Sequence, residues 1–565
     1  MTGDRAGAGG DAPPGGPATA ADPLERAARR WPRRTALDGP GGRRTWEALD
    51  GAASGLAALL RAAGAGPGGR VAFLLPRGEG AVALLHAVPR TGAAAAPLHA
   101  GWTGPELADY LARLSPSHLV CSGGTLGAAE AALPDGTALV RVGPGWPPAE
   151  GAEVVRPEEP GAGRVAGGRP ADGGGPAEGR APARARRPAQ RGAPAEAPPL
   201  HTILSTSGTS GRPKAVGLTL AAHVACARAT ERRMLLGPAD RWLASLSPAH
   251  VGGVALVIRS AWTGAALVLR ERFDAGDLAA LAAAGRVTHA SLVPTMLRRL
   301  REVRGRRRAP LPLRGILLGG DAADPREILA ALELDYPLFP TYGLSEAASQ
   351  VATARPEEAR LAPESVGRPL AGTEVRIGEG DEILVRGPTL MAGYVLGPGA
   401  HREPGPEAGG VLRGAGAPGT GGREPGLDAE GWLHTGDAGR LDGEGRLFVT
   451  GRLSRRLVSG GVTVDPARVE RVLAAHPAVR EAAVVGLPDP EWGERVTAAV
   501  VPSGPGRPAG EAADRLRREL EAHCRGRLAA PALPRAWILV ADLPRNPNGK
   551  VDMEALRRLV AEPRT

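Results

Sequence analysis

Apolar and polar positions alternate along the chain in two recurring patterns. Short apolar runs such as RVAFLLP at 70–76 and SHLVCSG at 117–123 are typical of buried strands. Between them lie segments with apolar residues at three- and four-residue spacing, such as TWEALDGAASGLAALLRAAG at 45–64, which predict amphipathic helices. This alternation of strand and helix predicts an α/β fold built on parallel sheets.

The alternation of strand and helix patterns is interrupted by two segments, and its character changes near residue 453. Residues 157–198 are nearly all Pro, Gly, Ala, Arg and Glu, and a second such stretch covers about 396–427, so both are interpreted as low-complexity inserts. Residues 1–22 are predicted to form a disordered tail. The sequence therefore predicts a large N-terminal multi-sheet α/β domain over 23–452 and a small α+β C-terminal domain over 453–565.

The composition has one informative feature, which is the near absence of lysine among the cationic residues. The 565 residues include 70 Lys and Arg against 60 Asp and Glu, for a net charge of +10, yet only Lys214 and Lys550 are lysines. Depletion of residues with A/T-rich codons indicates a GC-rich coding bias, which explains the scarcity of lysine but not the two that remain. Arginine replaces lysine easily on an exposed face but not where a compact ammonium is needed. Both lysines are therefore candidate functional residues.

Charge and cysteine content argue against several classes of protein. The arginines are scattered apart from REVRGRRR at 301–308 and a low-complexity stretch, and no zinc-finger or RNA-binding pattern occurs, so no nucleic-acid partner is expected. Cys121, Cys226 and Cys524 are far apart, which argues against a disulfide framework or a cysteine metal site. With no signal-peptide pattern and no apolar run of about 18 residues, a cytoplasmic protein without a membrane span is expected.

Two segments offer groups that could bind a nucleotide. STSGTSGRPK, at 205–214, follows a predicted strand and exposes hydroxyls and backbone N–H groups to an anion, although a solvated Ser/Gly loop has the same composition. Pro213 stands where a Walker A loop needs glycine, which excludes that motif. PTYGLSEAASQ, at 340–350, offers Tyr342 as a flat face for a base and Ser345 and Glu346 as hard oxygen ligands for Mg²⁺.

Two later segments offer a carboxylate and a cation. In GWLHTGDAGRLDGEGRLFVTGR, at 431–452, Asp437 follows a glycine turn and suits a ribose diol, although it could equally stabilise the turn. In LPRNPNGKVD, at 543–552, Pro544 and Pro547 stiffen a loop that presents Lys550.

Taken together and in this order, TSGTSGRPK, YGLSE, HTGD, the GR-to-SGG segment and NGK closely resemble the motifs of the adenylate-forming superfamily, which includes acyl-CoA synthetases, nonribosomal-peptide adenylation domains and luciferases. The resemblance runs from about residue 23 to residue 550, apart from the inserts. It implies that a carboxylate attacks the α-phosphate of ATP and that a thiol, usually that of CoA, then displaces AMP. It also implies Mg²⁺ as a cofactor, and a small domain that acts as a mobile lid between the steps.

The resemblance assigns a nucleotide-binding role to each matching position. The positions implied for the β- and γ-phosphates are Thr206, Ser207, Gly208, Thr209, Ser210, Gly211 and Lys214. The positions implied for adenine and ribose are Gly319, Gly320, Asp321, Tyr342, Asp437 and Arg452.

The resemblance also implies catalytic and conformational roles. Glu346, with Thr206, would hold Mg²⁺, and Lys550 would bridge the carboxylate and the α-phosphate as the catalytic cation. The thioester step would involve Ser459, Gly460 and Gly461. Arg455 stands at the expected hinge, where the superfamily usually has Asp or Lys.

The acyl substrate is indicated by SLSPAHVGGVALVIRS at 245–260. With YGLSEAASQ, it most resembles the o-succinylbenzoate–CoA ligases of menaquinone biosynthesis. In that family an arginine nine residues after the histidine pairs with the second carboxylate of the substrate, and here Arg259 follows His250 at that spacing. The resemblance implies a guanidinium clamp, because a guanidinium binds a carboxylate bidentately. The alternative interpretation is that Arg259 is present only because of the coding bias toward arginine and does not bind the substrate.

Several alternatives stay open at this stage. The chain could be another medium-chain or aryl acyl-CoA synthetase, a stand-alone amino-acid adenylation enzyme, or a non-catalytic protein that keeps the fold. No carrier-domain serine motif follows Lys550, which argues against the adenylation domain of a peptide synthetase. The sequence leaves the oligomeric state open, including a homodimer.

Overall fold

The fold is described from a computed structural model that covers residues 21–143, 146–147, 150, 152–155, 198–206, 214–395, 426–504, 508, 510–545 and 551–561. The predicted tail and both predicted inserts lie almost wholly outside these residues. Asp22, at the end of the predicted tail, caps the first helix, where its Oδ1 accepts a hydrogen bond from the Leu24 N–H at 2.9 Å.

Two large mixed sheets are formed by strands that precede residue 396. The first has nine strands in the spatial order Arg368–Pro369, Ser349–Thr353, Leu338–Leu344, Gly315–Leu318, His289–Leu292, Arg241–Ala244, Ala266–Leu269, Thr35–Gly39, Gly42–Thr45. The second has eight strands in the order Gly393–Tyr394, Lys214–Thr219, Leu200–Thr206, Ala94–Pro97, Arg70–Leu74, His118–Cys121, Ala138–Arg141, Glu153–Val155. The central strands of both sheets are parallel, as the alternating pattern predicts.

Two smaller sheets follow, both mostly antiparallel. The third contains Glu374–Ile377, Glu382–Arg386, Leu433–Leu441 and Gly426–Leu427, with Leu447–Arg452 paired to its third strand. The fourth contains Val462–Val464, Leu457–Ser459, Gly493–Pro502 and Val479–Asp489, with Ala536–Leu539 paired to its third strand. The predicted α/β class is confirmed, whereas the exact boundary at residues 452 and 453 stays a prediction.

Helices cover the sheets and join the strands. In chain order the α-helices among the described residues are Pro23–Arg30, Trp46–Ala62, Glu79–Arg90, Gly104–Leu114, Leu126–Ala131, Leu220–Met234, Val251–Thr263, Ala275–Ala283, Pro294–Arg304, Pro325–Leu332, Pro356–Leu361, Pro466–Ala474, Glu511–Arg525 and Met553–Ala561. Within the described ranges, none of them combines the length and the apolar character that crossing a membrane requires.

Helix Trp46–Ala62 shows how the sequence pattern produces these elements. The Thr45 hydroxyl caps its start by accepting a hydrogen bond from the Ala48 N–H at 3.2 Å. Leu49, Leu56 and Leu60 recur at helical spacing and are all buried. The helix forms because its apolar stripe packs into the main core, as the sequence predicts.

Three buried histidines lie together inside this N-terminal core. The rings of His201 and His223 are 5.4 Å apart, and His86 is near enough to His201 to affect its titration. Burial lowers the pKa of His86 and of His223 to about 4, and it lowers the pKa of His201 well below the ordinary value. All three rings are therefore neutral at physiological pH.

Acidification is expected to destabilise the protein through these histidines. The unfolded chain binds a proton at each ring with a pKa of about 6.5, whereas the folded chain resists protonation, so stability falls as pH drops below about 6.5. For His86 and His223, whose pKa in the folded chain is about 4, the free energy of unfolding should fall by about 2 kcal/mol each between pH 7 and pH 5, as measured by urea denaturation. His223→Gln retains a hydrogen-bonding group for Thr202 and should reduce the loss by about 2 kcal/mol. An unchanged pH dependence in that variant would contradict the assignment.

Candidate active site

A tyrosine, an aspartate and an arginine from two sheets form one hydrogen-bonded row. The Tyr342 hydroxyl donates to Asp437 Oδ2 at 2.6 Å, and Arg452 Nε lies 2.7 Å from Asp437 Oδ1. Asp437 and Arg452 face each other across an antiparallel hairpin, while Tyr342 comes from the first sheet. Burial and the adjacent carboxylate hold the pKa of Tyr342 well above its ordinary value, so the phenol remains a donor.

The backbone before Asp437 is fixed by a carboxylate that the sequence reasoning missed. Glu382 is 3% exposed, and its Oε1 accepts a hydrogen bond from the Gly436 N–H at 3.0 Å. Its Oε2 lies 2.8 Å from His434 Nδ1, and the Thr435 hydroxyl donates to the Ile383 carbonyl at 2.7 Å. These contacts hold Asp437 in one position, which suits recognition of the paired hydroxyls of a ribose. The two adjacent acids in the segment GDEILV, at 380–385, gave no signal of this role.

The two described ends of the Ser/Gly-rich loop lie near Glu346. Thr206 and Lys214 pair across two antiparallel strands and so bracket residues 207–213. Lys214 Nζ is 5.2 Å from the centroid of the Tyr394 ring, and the Tyr394 hydroxyl donates to Glu346 Oε1 at 3.0 Å. Tyr394 therefore connects the lysine to the carboxylate. The sequence reasoning missed it because it belongs to no recognised motif and lies two residues before the second predicted insert.

The oxygen donors near the loop suit a hard metal cation that is bound mainly by the phosphates of a nucleotide and only partly by the protein. Glu346 is 8% exposed and supplies a carboxylate, and Thr206 supplies a hydroxyl at the end of a strand. Across the described ranges, no group of three or more His, Cys, Asp or Glu side chains is placed to hold a metal ion. Mg²⁺ commonly uses one or two protein ligands and completes its shell with water and phosphate oxygens, so this sparse donor set is compatible with it.

The glycine pair predicted for the nucleotide pocket follows strand Gly315–Leu318. A Cβ at Gly319 would lie 2.6 Å from Thr341 Cγ2, and Gly320 has a φ of +85°, so both positions require glycine. Strand Gly315–Leu318 is parallel to strand Leu338–Leu344, which places the segment ending at Asp321 beside Tyr342. Asp321 is exposed, and its Oδ1 accepts a hydrogen bond from the Ala322 N–H at 2.8 Å. These residues lie at the carboxyl ends of parallel strands, the usual position of ligand sites in α/β sheets.

The two residues proposed for the acyl substrate lie at the N-cap of helix Val251–Thr263 and within that helix. His250 immediately precedes the helix, and its ring centroid is 5.2 Å from that of His99. Arg259 lies nine residues further along, which corresponds to about 13 Å of helix rise. The structure therefore does not bring the two side chains together, although one lies at the start of the helix that carries the other.

Arg259 is a buried cation with neutral partners. It is 2% exposed, its Nη2 donates to Gln350 Oε1 at 2.6 Å, and its Cζ is 5.0 Å from the centroid of the Trp242 ring. Burial lowers its pKa, and among the described residues no carboxylate pairs with it. Gln350 is itself held by the Thr230 hydroxyl at 2.8 Å. A guanidinium buried without a counter-ion is costly, and an incoming carboxylate would offset that cost.

The predicted thioester segment forms a tight hairpin. Leu457–Ser459 pairs with Val462–Val464, and Gly460 and Gly461 form the turn with φ values of +59° and +76°. The Ser459 side chain is fully buried.

Arg455, the predicted hinge residue, is tied to the C-terminal part of the chain. Its guanidinium pairs with Glu470 and donates to the Val484 carbonyl at 3.3 Å. Burial raises the pKa of Glu470, while Arg455 opposes that shift. Further contacts join the two parts of the chain, since Arg326 on helix Pro325–Leu332 donates to the Ala475 carbonyl at 3.1 Å. Any rotation about this region must break the Arg326 contact, and the hinge role of Arg455 stays a prediction.

Some predicted site residues lie outside the described part of the chain. They are Ser207, Gly208, Thr209, Ser210, Gly211 and Lys550. Their roles stay as the sequence resemblance implies.

Comparison with known proteins places this geometry among nucleotide-dependent enzymes. The family described as "AMP-binding enzyme" matches residues 24–395, and the "AMP-binding enzyme C-terminal domain" matches residues 468–550. A 2-succinylbenzoate–CoA ligase of Bacillus cereus is 34% identical over 370 residues, which is 64% of this chain and 70% of that protein. The corresponding protein of Listeria monocytogenes is 34% identical over 356 residues, or 63% of this chain and 69% of that protein.

Solved structures extend the similarity over nearly the whole chain. The o-succinylbenzoate CoA synthetase of Bacillus subtilis in complex with the acyl-adenylate intermediate OSB-AMP has a TM-score of 0.74 and 27% identity, covering 96% of this chain and 98% of that one. The same enzyme in complex with ATP and a magnesium ion has a TM-score of 0.73 and 27% identity, covering 96% and 99%.

Proposed function

Because the chain belongs to the family of AMP-binding enzymes, we propose that it is an ATP-dependent carboxylate–CoA ligase that converts o-succinylbenzoate to o-succinylbenzoyl-CoA. ATP and CoA are its co-substrates and Mg²⁺ its cofactor, and the product belongs to menaquinone biosynthesis. The relatives and solved structures named above support this reaction, and the hydrogen-bonded groups of the candidate site suit its nucleotide.

In the first half-reaction the substrate carboxylate attacks the α-phosphate of ATP and releases pyrophosphate. Tyr342 and the segment ending at Asp321 would bind adenine, and the fixed Asp437 with Arg452 would bind the ribose. Bound Mg²⁺ would supply charge neutralisation at the phosphates, held there by Glu346 and Thr206. Two anions must approach each other in this step, so cationic groups aimed at the reacting phosphate dominate the rate.

In the second half-reaction the CoA thiol attacks the acyl carbon, and AMP leaves. The bond between the acyl carbon and the bridging oxygen of AMP breaks as the C–S bond forms, and the thiol proton is released. By resemblance, the Ser459–Gly461 turn would face the active site in this step after the C-terminal part has rotated about Arg455. The hydrogen bond from Arg326 to the Ala475 carbonyl supports one orientation of that part relative to the rest.

The single observation that carries the choice of substrate is the buried Arg259 without a carboxylate partner among the described residues. o-Succinylbenzoate has two carboxylates, one on the ring and one on the succinyl chain. One reacts, and the other is free to neutralise a buried guanidinium. A simple fatty acid or benzoate has no second carboxylate and would leave Arg259 uncompensated.

Steady-state assays of purified protein with ATP, Mg²⁺, CoA and a panel of acids test this proposal. The panel comprises o-succinylbenzoate, benzoate, a medium-chain fatty acid and several amino acids, and the release of AMP and pyrophosphate is measured. o-Succinylbenzoate is expected to have a kcat/KM at least about 100-fold above the monocarboxylates, the ratio that one buried charge pair would provide. Faster turnover of benzoate or a fatty acid would identify a different acyl-CoA synthetase, and no turnover of any acid would indicate a non-catalytic protein.

A further inference from the structure

The Ser459–Gly461 turn depends on groups outside its own hairpin for support. Gly460 and Gly461 both have positive φ. Because glycine has no side chain, neither residue adds side-chain packing to the turn. On the flanking strands, Val458 is 53% exposed and Val462 is 47% exposed, so these valines bury little surface. A two-stranded hairpin of this size is only marginally stable without further contacts.

That support comes from Trp492, which lies in the connection between strands Val479–Asp489 and Gly493–Pro502. The Trp492 carbonyl accepts a hydrogen bond from the Gly460 N–H at 2.9 Å. The indole covers the turn so closely that a Cβ at Gly460 would lie 3.0 Å from its Cε3 and Cζ3 atoms. The position of the turn is therefore set by the position of the indole.

The indole is supported from a second side by Arg535. The Arg535 Cζ lies 3.4 Å from the centroid of the Trp492 ring, a close cation–π contact. The backbone N–H of Arg535 donates to the Val496 carbonyl at 2.9 Å, and its guanidinium donates to the Leu533 carbonyl at 3.1 Å. Arg535 is thus anchored to the fourth sheet and holds the indole in place.

A carboxylate fixes the adjoining strand of the hairpin. Glu494 Oε2 accepts a hydrogen bond from the Val458 N–H at 2.8 Å, and Ser459 pairs with Gly493 in the sheet. Together these contacts tie the hairpin to the segment 492–494. The Trp492 indole therefore packs between the Ser459–Gly461 turn on one side and the Arg535 guanidinium on the other.

From this arrangement we propose that Trp492 is a positioning residue for the thioester half-reaction, acting through the Ser459–Gly461 turn. The proposal rests on the proposed function, in which that turn faces the active site when CoA reacts. A thiol must approach the acyl carbon within a narrow range of distance and angle, and an error of about 1 Å can cost about 100-fold in rate. Adenylate formation does not need this turn, so the effect should be confined to one step.

Single-turnover measurements of Trp492→Ala test this separation. Adenylate formation is followed without CoA as o-succinylbenzoate-dependent pyrophosphate release, and thioester formation is followed by adding CoA to the preformed enzyme-bound adenylate. In Trp492→Ala the first rate should stay within about twofold, while the second falls at least about tenfold. Trp492→Phe keeps an aromatic face against Gly460 and should recover most of the lost rate.

Thermal unfolding and Arg535→Met provide the controls. Arg535→Met removes the guanidinium that packs on the Trp492 indole and should slow only the thioester step, by about threefold. Equal slowing of both steps in Trp492→Ala, or an unchanged thioester step, would overturn the proposal. A parent protein that forms no adenylate with o-succinylbenzoate would instead refute the proposed function itself, so the two failures are distinguishable.

Discussion

Replacing Arg259 by methionine is expected to lower kcat/KM for o-succinylbenzoate by about 100- to 1,000-fold, which corresponds to about 3–4 kcal/mol of lost transition-state binding. The guanidinium is 2% exposed and is held by the neutral side chain of Gln350, so its charge has no protein carboxylate among the described residues to neutralise it. The substrate's second carboxylate would supply that partner. Methionine fills a similar volume without charge and removes the interaction.

The same variant should leave the protein at least as stable as the parent. Substituting a buried charged group by an apolar one of similar size is often neutral or stabilising, because the desolvated charge is lost. Loss of substrate recognition without loss of stability is the distinguishing result, since a purely structural arginine would give the opposite. Steady-state kinetics and thermal unfolding measure the two quantities.

Arg228→Met is a matched control for this substitution. Arg228 also lies near an indole, with its Cζ 5.7 Å from the centroid of the Trp262 ring, but it is exposed. Its replacement should change kcat/KM by less than about twofold, because exposed pairs contribute little. If Arg259→Met retained full activity on o-succinylbenzoate, or lost activity only together with its fold, the clamp would be wrong.

Replacing Lys550 by alanine is expected to slow adenylate formation by about 1,000-fold. The reaction brings the carboxylate toward the charged α-phosphate, and a cation at the pentacoordinate phosphate lowers that barrier. Lys550 lies outside the described residues, so this expectation rests on the NGK motif and on composition. Only two of the 70 cationic side chains are lysine, despite a coding bias toward arginine.

Lys550→Arg tests whether a charge alone is enough. Arginine keeps the charge but spreads it over a planar fork, so it should restore less than about a tenth of the activity. Thioester formation from synthetic o-succinylbenzoyl adenylate should proceed at the parent rate in both variants, because that step needs no attack on the phosphate. Pyrophosphate release measures the first step. Normal adenylate formation in Lys550→Ala would refute the assigned role.

The fold could be predicted largely from the sequence because local patterns determine its elements. Apolar runs such as 70–76 contain the strand Arg70–Leu74, and helical spacing at 45–64 gives the helix Trp46–Ala62. The hairpin signal DGEG lies between Leu433–Leu441 and Leu447–Arg452, which do pair as antiparallel strands. Each of these signals concerns residues close together in the chain.

The supporting contacts of the site could not be predicted in the same way. Glu382 acts on Gly436 from 54 positions away, and Tyr394 reaches Glu346 from 48 positions away, so no spacing rule connects them. Arg259 was found through its distance from a histidine, yet its actual partner is Gln350, 91 positions along the chain. Tertiary packing brings these groups together, and a single sequence does not record which strands will be neighbours.

The most direct measurement is a competition in one vessel. Purified protein is given ATP, Mg²⁺ and CoA with equal concentrations of o-succinylbenzoate, benzoate and a medium-chain fatty acid, and the CoA thioesters are resolved by mass spectrometry with AMP measured in parallel. We expect o-succinylbenzoyl-CoA to exceed each other thioester by at least about 100-fold, with one AMP per thioester. A mixture dominated by benzoyl-CoA or the fatty acyl-CoA, or thioester formation with ADP in place of AMP, would contradict the proposed function.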